Sequence, residues 1–222
     1  MGDHMNDLLG FLIPLLKGAV ITIELTILSL AIALAIGLIA AFARISHNFF
    51  LNKLASIYIS IIRGTPLLVQ LMYIYFVLPE LGIKLSAFSS ALIGLALYEA
   101  AYLAEIFRAG ISSIGKGQLE AAYAIGMNYS TAMRRIILPQ AVKNVLPPIG
   151  NSAILLLKNS SLAAVIAVNE LMYTGENLAT STFRNIEIFT LVAIIYWLLH
   201  YPMDRAVNLL ERRMNNDSSQ RH

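Results

Sequence analysis

The chain has 222 residues, of which 58% are hydrophobic and only 13% are charged. Soluble domains contain about 45–50% apolar and about 25% charged residues, so this composition excludes an ordinary soluble protein and predicts a polytopic membrane protein. The sequence contains no cysteine, which excludes disulfides and thiolate metal sites. The net charge of +3 is spread over loops without forming a basic stripe, so we expect no binding to nucleic acid.

Five apolar runs are each long enough to form or begin a membrane-spanning helix, since the hydrocarbon core is about 30 Å thick and a helix rises ~1.5 Å per residue. They cover residues 19–43, 54–78, 87–107, 142–168 and 188–201. The last run continues as an amphipathic helix through Arg212. We therefore predict an all-α domain of five transmembrane helices over residues 5–215. Residues 1–4 resemble a cloning scar, and residues 216–222 are predicted to be a flexible tail.

The basic residues predict the orientation of these five spans. With alternate loops on opposite sides, one side carries most of the 16 Lys and Arg, namely Arg44, Lys53, Arg108, Lys116, Arg134, Arg135, Lys143, Arg205, Arg212, Arg213 and Arg221. The other side carries only Lys17, Lys84 and Arg184. The positive-inside rule then places the N-terminus outside and the C-terminus in the cytoplasm.

Two of the runs contain polar interruptions. Pro66 follows Arg63, Gly64 and Thr65 within the second run, and proline predicts a kink or an unwound turn there. The fourth run contains residues 158–161, Lys-Asn-Ser-Ser. Either the span ends near Leu157, or a broken helix exposes backbone groups to a solute. We favour the broken helix because residues 162–168 are apolar again.

The polar segment of residues 112–142 is predicted to be a structured loop. Residues 118–124 are typical of a short helix that ends at Gly126. Ser130 is a candidate N-cap for a second short helix, and Pro139 is expected to end that helix. Two short helices joined at a glycine predict a compact element that docks against another body.

One segment of the sequence partly matches a nucleotide-binding motif. Residues 110–117, GISSIGKG, match G-x-x-x-x-G-K, but Gly117 stands where a P-loop needs Ser or Thr, and a membrane helix precedes the motif in place of a strand. Lys158 and Ser160 do not form a nucleophile pair, since residues two apart do not face each other on a helix. We predict that the chain is not an enzyme.

Ionisable residues inside the spans are the best candidates for solute contact, because each is costly in a bilayer unless it is solvated or paired. On a helix, Tyr98, Tyr102 and Glu105 share one stripe, and Glu99 flanks this stripe beside Tyr102. The tyrosines alone are compatible with ordinary packing. The acids therefore indicate the polar site.

Each acid also has a purely structural alternative. Glu105 lies close to Arg108 near the end of its span, so an ion pair is the favoured interpretation for Glu105. Glu99 lies in the middle of the span, where we favour a polar translocation or substrate site over a salt bridge with Arg63 or Lys158. Arg63 itself either binds a carboxylate bidentately or braces a helix, and the sequence leaves both open.

The loop motif has a known counterpart. Glu120-Ala121-Ala122, then Gly126, then residues 137–139 (Ile-Leu-Pro) resemble the EAA loop of the membrane-spanning permease subunits of ABC importers. Residues 63–71, 101–111 and 146–163 are similar to the polar amino acid branch of these permeases. The resemblance covers roughly residues 10–213. We call residues 112–142 the EAA loop.

The resemblance implies that the EAA loop forms a cytoplasmic coupling helix, seated in a cleft of an ATP-hydrolysing subunit. The residues implied in this coupling are Glu120, Ala121, Ala122, Gly126, Asn128, Arg134 and Arg135. No cofactor is then expected in this chain, since ATP and Mg²⁺ are bound by the partner ATPase.

The same resemblance implies an assembly in the plasma membrane of a prokaryote. Two ATP-binding subunits, a second permease subunit (an identical copy or a paralogue) and an extracytoplasmic amino acid binding protein would surround the chain in the bilayer. ATP-driven closure of the partners would switch access to the solute path from outside to inside.

The sequence departs from the family at two positions. Relatives usually have Lys-Asp-Thr-Ser where this chain has residues 158–161, and they more often carry a small or hydroxylated residue where it has Glu99. An acid facing a cavity favours a cationic solute, so we expect basic amino acids as substrates. The candidate contacts are Arg63, Glu99, Tyr102, Asn159, Ser160 and Ser161, with Glu105 a weaker one. The alternative function is a self-contained channel or proton-coupled carrier that uses the glutamates.

Overall fold

The structure, a computed structural model, describes the backbone of residues 2–219 and the side chains in this range except those of residues 2–9, 116 and 215–219. Within this range every regular element is a helix. The α-helices are α1 (Gly2–Ile45), α2 (Phe49–Gly64), α3 (Leu67–Met72), α4 (Ala87–Ser112), α5 (Lys116–Ala124), α6 (Tyr129–Ala132), α7 (Leu138–Asn159), α8 (Leu171–Thr182) and α9 (Asn185–Ser219).

Up to five of these segments can cross a membrane. Four are single spans by length and composition, namely Gly10–Ile45, Ala87–Ser112, Tyr129–Ile166 and Asn185–Met214. The fifth is the pair Phe49–Gly64 and Leu67–Leu81, in which the helix path bends by 104°. The all-α fold agrees with the sequence prediction, and the number of spans is four, or the predicted five if the bent pair forms one span.

The bend in the second span lies where the proline predicted it. Thr65 and Pro66 both have extended backbone and separate α2 from α3. The side-chain amide of Gln70 donates to the carbonyl oxygens of Ile62 at 2.8 Å and Thr65 at 3.1 Å. These bonds satisfy carbonyls that the broken helix releases, as a bilayer requires. The bend leaves Arg63 at the end of a helix.

Helix α4 lies at the centre of the fold, in contact with α1, α2, α3 and α7. Small residues allow α1 to approach it closely. A Cβ atom on Gly37 would lie 2.9 Å from Leu103 Cβ and 3.0 Å from the carbonyl oxygen of Ala100. Ala33 packs in the same core cluster as Ala100. This close packing fixes the face that α4 turns away from α1.

The segment before the fourth span differs from its prediction. Asn128 caps α6 by accepting a hydrogen bond from the Thr131 amide at 2.9 Å, so the expected cap at Ser130 is wrong. Pro139 does not end the helix. It lies in the first turn of α7, and the helical path continues through it. A π-helical turn, Met133–Ile137, joins α6 directly to α7.

The predicted interruption in the fourth span is present as a change of helix type. Helix α7 ends at Asn159, and a 3₁₀ turn follows over Ser160–Ile166. Ala167 then adopts a left-handed conformation with φ 58°. The α-helix therefore ends within residues 158–161, although the helical path continues for two more turns.

Helix α8 lies between the fourth and fifth predicted spans, where no element was predicted from the sequence. Glu170 caps it by accepting hydrogen bonds from the amides of Met172 at 2.9 Å and Tyr173 at 2.7 Å. The buried carboxylate also accepts bonds from the hydroxyls of Tyr196 at 2.9 Å and Thr22 at 3.4 Å. Burial raises the pKa of the Glu170 carboxyl, and the hydrogen bonds oppose this shift. One carboxylate thus ties α8 to α1 and α9.

The two ends of the chain are more helical than the sequence suggested. Helix α1 begins at Gly2, within the four residues set aside as a cloning scar. Helix α9 continues to Ser219, into the predicted flexible tail. The remainder of that tail, residues 220–222, lies outside the described residues.

Candidate functional site

A polar stripe runs along one face of α4, as its spacing predicts. The hydroxyls of Tyr98 and Tyr102 lie 3.1 Å apart, and their ring centroids are 4.9 Å apart. Glu105 follows one turn later. Together with Arg63 and Arg108 these side chains form what we call the arginine–tyrosine cluster.

Arg63 reaches this cluster from the end of α2. Its guanidinium carbon lies 5.1 Å from the centroid of the Tyr102 ring, within the range of a cation–π contact. One of its nitrogens is 3.9 Å from Glu105 Oε2, which is too long for a hydrogen bond. Within the part of the chain that the structure describes, Arg63 makes no hydrogen bond, and 42% of its side chain is exposed. The guanidinium is oriented, yet its donors are free.

Glu105 is engaged by another arginine. Arg108 donates to both of its carboxylate oxygens at 2.9–3.1 Å, in the bidentate geometry of a strong ion pair. The favoured structural interpretation of Glu105 therefore has its expected partner. Two guanidinium groups surround one carboxylate, so the cluster carries an excess positive charge that fits an anionic group.

Glu99 lies elsewhere than expected. It is buried between α4 and α7, with 1% of its surface exposed, and it accepts a hydrogen bond from the Ser152 hydroxyl. It therefore does not face an open cavity of this chain. Among the described residues it forms no ion pair with Arg63 or Lys158 or any other cation. Sequence spacing could not reveal that α7 covers this face of α4.

The serines of residues 158–161 satisfy their hydroxyls within their own helix. Ser160 is buried and donates to the carbonyl of Leu157 at 2.7 Å, and Ser161 donates to the carbonyl of Lys158 at 2.7 Å. Asn159 is half-buried. Within the described residues, no hydrogen bond or ion pair joins this segment to the arginine–tyrosine cluster, so the structure does not bring the two sets of candidates together.

The EAA loop contains the predicted bend at glycine. Gly126 has φ 81°, a left-handed conformation that favours glycine. Its amide donates to the carbonyl of Tyr123 at 2.9 Å, and the Met127 amide donates to that of Ala122 at 3.0 Å. This pattern is a Schellman-type helix end. Gly126 therefore sets the angle between α5 and the chain that follows.

The other coupling candidates divide between the inside and the outside of the loop. Ala122 is buried, and α5 packs against the π-helical turn that leads into α7. Glu120, Ala121, Arg134 and Arg135 are exposed. The loop thus has its own packed interior and presents both acidic and basic groups on its surface.

Three further apolar side chains on the same loop were not predicted from the sequence. Tyr123, Ile125 and Tyr129 are 47%, 72% and 56% exposed. Large exposed apolar side chains close together in the chain indicate an interaction surface. The signal available in the sequence was their position on either side of Gly126 within a polar-rich segment.

Apolar candidate spans with a polar cluster on one of them, together with a structured loop carrying exposed apolar side chains, fit a membrane-embedded transport subunit. Over residues 33–216 the chain matches the family described as binding-protein-dependent transport system inner membrane component. The chain belongs to this family.

Similar proteins narrow the class of transport subunit to amino acid permeases. The chain is 40% identical over 205 residues to the glutamine transport system permease protein GlnP of Escherichia coli K12, which covers 91% of this chain and 94% of the relative. It is 41% identical over 204 residues to the L-cystine transport system permease protein TcyB of Bacillus subtilis, with 91% and 87% covered. Both are amino acid permeases.

Solved structures agree. A crystal structure of an amino acid ABC transporter with histidines has a TM-score of 0.90 at 38% identity, covering 93% of this chain and 97% of that one. The MetNI methionine ABC transporter has a TM-score of 0.65 at 19% identity, which shows the fold alone. The chain is thus a permease subunit of an amino acid ABC importer. Its relatives are transport subunits rather than enzymes.

Proposed function

We propose that this subunit imports polar amino acids, basic ones in particular, and that Arg63 receives the substrate's α-carboxylate. The observation that carries the proposal is the state of the Arg63 guanidinium. Stacking on Tyr102 orients it, its ionic contact with Glu105 is long at 3.9 Å, and its N–H donors make no hydrogen bond among the described residues. A planar guanidinium with free donors fits a carboxylate bidentately. Every amino acid substrate offers that group, whatever its side chain.

Glu99 supports the preference for basic substrates. Its carboxylate has one hydrogen bond, from Ser152, and no cation among the described residues neutralises it. A small separation of α7 from α4 during the transport cycle would open it to a substrate ammonium or guanidinium group. The transporter solved with histidines is the structural relative that agrees with this preference. The relatives named for glutamine and cystine agree with polar substrates in general.

We further propose that the N-terminus lies outside and the C-terminus in the cytoplasm, which places the EAA loop in the cytoplasm. The support is the distribution of basic residues, since one side holds most of the 16 Lys and Arg. The plasma membrane of a prokaryote is the setting that this orientation and the family description fit.

The EAA loop is proposed to dock on an ATP-binding subunit through its exposed apolar side chains. Tyr123, Ile125 and Tyr129 would enter a cleft of that partner, while Glu120 and the Arg134–Arg135 pair would make polar contacts around them. ATP and Mg²⁺ would be bound by the partner. A working assembly would contain two such subunits, a second permease subunit and an extracytoplasmic binding protein.

The test is reconstitution of the chain with its candidate ATPase and binding protein in liposomes, followed by uptake and ATPase assays across a panel of amino acids. We expect ATP-dependent uptake, strongest for arginine, lysine or histidine. Uptake restricted to neutral amino acids would refute the basic preference alone. Flux without ATP or partner subunits would refute the proposal and favour a self-contained channel or carrier.

A further inference from the structure

A groove with a volume of about 340 Å³ lies between α1 and α8, apart from the arginine–tyrosine cluster. Its polar lining consists of Lys17, Asn169, Thr174, Asn177 and Ser181. The neighbouring surface of α1 is apolar, with Ile13, Leu16 and Val20 all exposed. Polar side chains thus gather at one place on an otherwise apolar helix surface.

The walls of the groove are fixed by close packing. A Cβ atom on Gly18 would lie 3.0 Å from the Cα atom of Leu171 and 2.8 Å from Thr174 Oγ1, so only glycine allows α8 to begin here. The Leu171 amide donates to the Thr22 hydroxyl at 3.1 Å, and the Thr174 hydroxyl donates to the carbonyl of Glu170 at 2.8 Å. The groove is therefore formed before any ligand arrives.

The depth of the groove in the membrane follows from α1. Lys17 and Arg44 stand at opposite ends of this span, roughly 40 Å apart at a rise of ~1.5 Å per residue. A bilayer is about 40–45 Å thick when its headgroups are included. If Arg44 lies among the headgroups of one leaflet, Lys17 lies among those of the other. The groove then opens at headgroup level.

The groove also has the chemistry of an anion site. Lys17 is exposed, and it has neither an ion pair nor a hydrogen bond within the described part of the chain. The side-chain amides of Asn169 and Asn177 are exposed beside it and can donate hydrogen bonds. None of the groove's lining residues carries a negative charge. The neighbouring Ile13, Leu16 and Val20 suit hydrocarbon chains.

We propose that this groove binds the phosphate of a membrane phospholipid, with Lys17 as the charged contact and the acyl chains along the exposed apolar face of α1. The lipid would bridge α1 and α8. This site is separate from the proposed carboxylate site at Arg63. Its test is therefore independent of the transported substrate.

The test uses the purified transporter with its ATPase subunits, delipidated in detergent and titrated with phosphatidylglycerol under native mass spectrometry. We expect Lys17→Gln to weaken binding about fivefold, the effect of about 1 kcal/mol for one basic residue at a membrane surface. Lys84→Gln is the matched control, since Lys84 is exposed, precedes α4 and does not line the groove. It should leave binding unchanged.

A second variant and a competition experiment identify the ligand and locate its binding site. Asn177→Leu, at an exposed position of the groove, should weaken phospholipid binding without changing the melting temperature. Free glycerol phosphate at the same concentrations should not displace the lipid, because it lacks the apolar contacts. The proposal would be overturned if Lys17→Gln and Lys84→Gln lost lipid binding equally, or if glycerol phosphate displaced the lipid. It would also be overturned if lipid binding stayed intact while binding of the extracytoplasmic binding protein became weaker. ATP-driven uptake, measured on the same preparations, reports separately on the transport function.

Discussion

The EAA loop and the arginine–tyrosine cluster differ in what their residues contribute. In the loop, the decisive features are backbone ones: the left-handed Gly126, the cap at Asn128 and the tight interior at Ala122. In the cluster, the decisive features are charges: Arg63 stacked with free donors, and Glu105 held by its ion pair.

In the proposed function, the loop transmits motion and the cluster recognises the substrate. A loop that transmits movement must keep its shape, and its surface charges are solvated, so changing one of them costs little. A site within the spans lies in a poorly solvated environment, where one charge decides which solute binds. Substitutions that alter shape should therefore affect the loop most, and substitutions that alter charge should affect the cluster most.

The largest effect is expected at Arg63. Arg63→Gln removes the proposed carboxylate receptor, and hydrogen bonds to charged groups are worth about 1.5–3 kcal/mol, so KM should rise about tenfold to hundredfold for every substrate. Arg63→Lys keeps the charge, loses the planar fork and should fall in between. Uptake kinetics in proteoliposomes measure both variants.

The control for Arg63 is Arg205→Gln on α9. Arg205 also stacks on a tyrosine, with its guanidinium carbon 5.1 Å from the Tyr201 ring centroid, but it lies outside the cluster. It should leave KM unchanged. Unaltered KM in Arg63→Gln would remove Arg63 from the substrate path.

The next effect is expected at Gly126. Gly126→Val places a β-branched residue at φ 81°, which costs on the order of 1–3 kcal/mol. We expect about a tenfold loss of uptake per ATP hydrolysed while the spans remain folded. Gly115→Val is the control, because Gly115 has φ −58° and a Cβ there meets nothing within 4 Å. If both variants transported normally, the loop would not require its bend.

A smaller, selective effect is expected at Glu99. Glu99→Gln should reduce arginine uptake about fivefold, since a buried charge-assisted hydrogen bond to the substrate is lost, and should leave glutamine uptake unchanged. Ser152→Ala removes the hydrogen-bond donor and keeps the carboxylate, so it should retain the preference for arginine. Intact arginine uptake in Glu99→Gln would end its assignment to substrate recognition.

The smallest effect is expected at the cap of α6. Asn128→Ala removes the side chain that accepts from the Thr131 amide, a loss of about 1 kcal/mol of local helix stability. Coupling of ATPase activity to uptake should fall about threefold. Ser130→Ala tests the residue that the sequence pattern favoured as the cap, and it should have no effect. The opposite ranking would contradict the structure at this turn.

The sequence predicted well wherever a local pattern causes the structure. The apolar runs predicted the candidate spans, Pro66 predicted the bend in the second of them, and a short helical pattern followed by glycine predicted the turn at Gly126. It predicted poorly where two distant segments meet. Helix α8 was not predicted because its N-cap, Glu170, is buried. That burial requires hydrogen-bond donors from α1 and α9, which lie far away in the sequence.

The candidate site shows the same division. The stripe of Tyr98, Tyr102 and Glu105 follows from helix periodicity on α4 alone. That Arg63 stacks on Tyr102, and that Glu99 lies under Ser152, depends on how α2 and α7 pack around α4. Periodicity places residues on a face of their own helix and carries no information about which neighbour covers that face.

By itself, the sequence determined the membrane class, the all-helical fold, the permease family and the bend in the EAA loop, because hydropathy, proline and glycine act within a few residues along the chain. Tertiary structure alone decided which charges are free. It left Arg63 without a hydrogen bond and enclosed Glu99 under α7, because the state of these charges depends on the side chains that neighbouring helices bring within about 4 Å, whereas the Glu105–Arg108 pair lies within one helix.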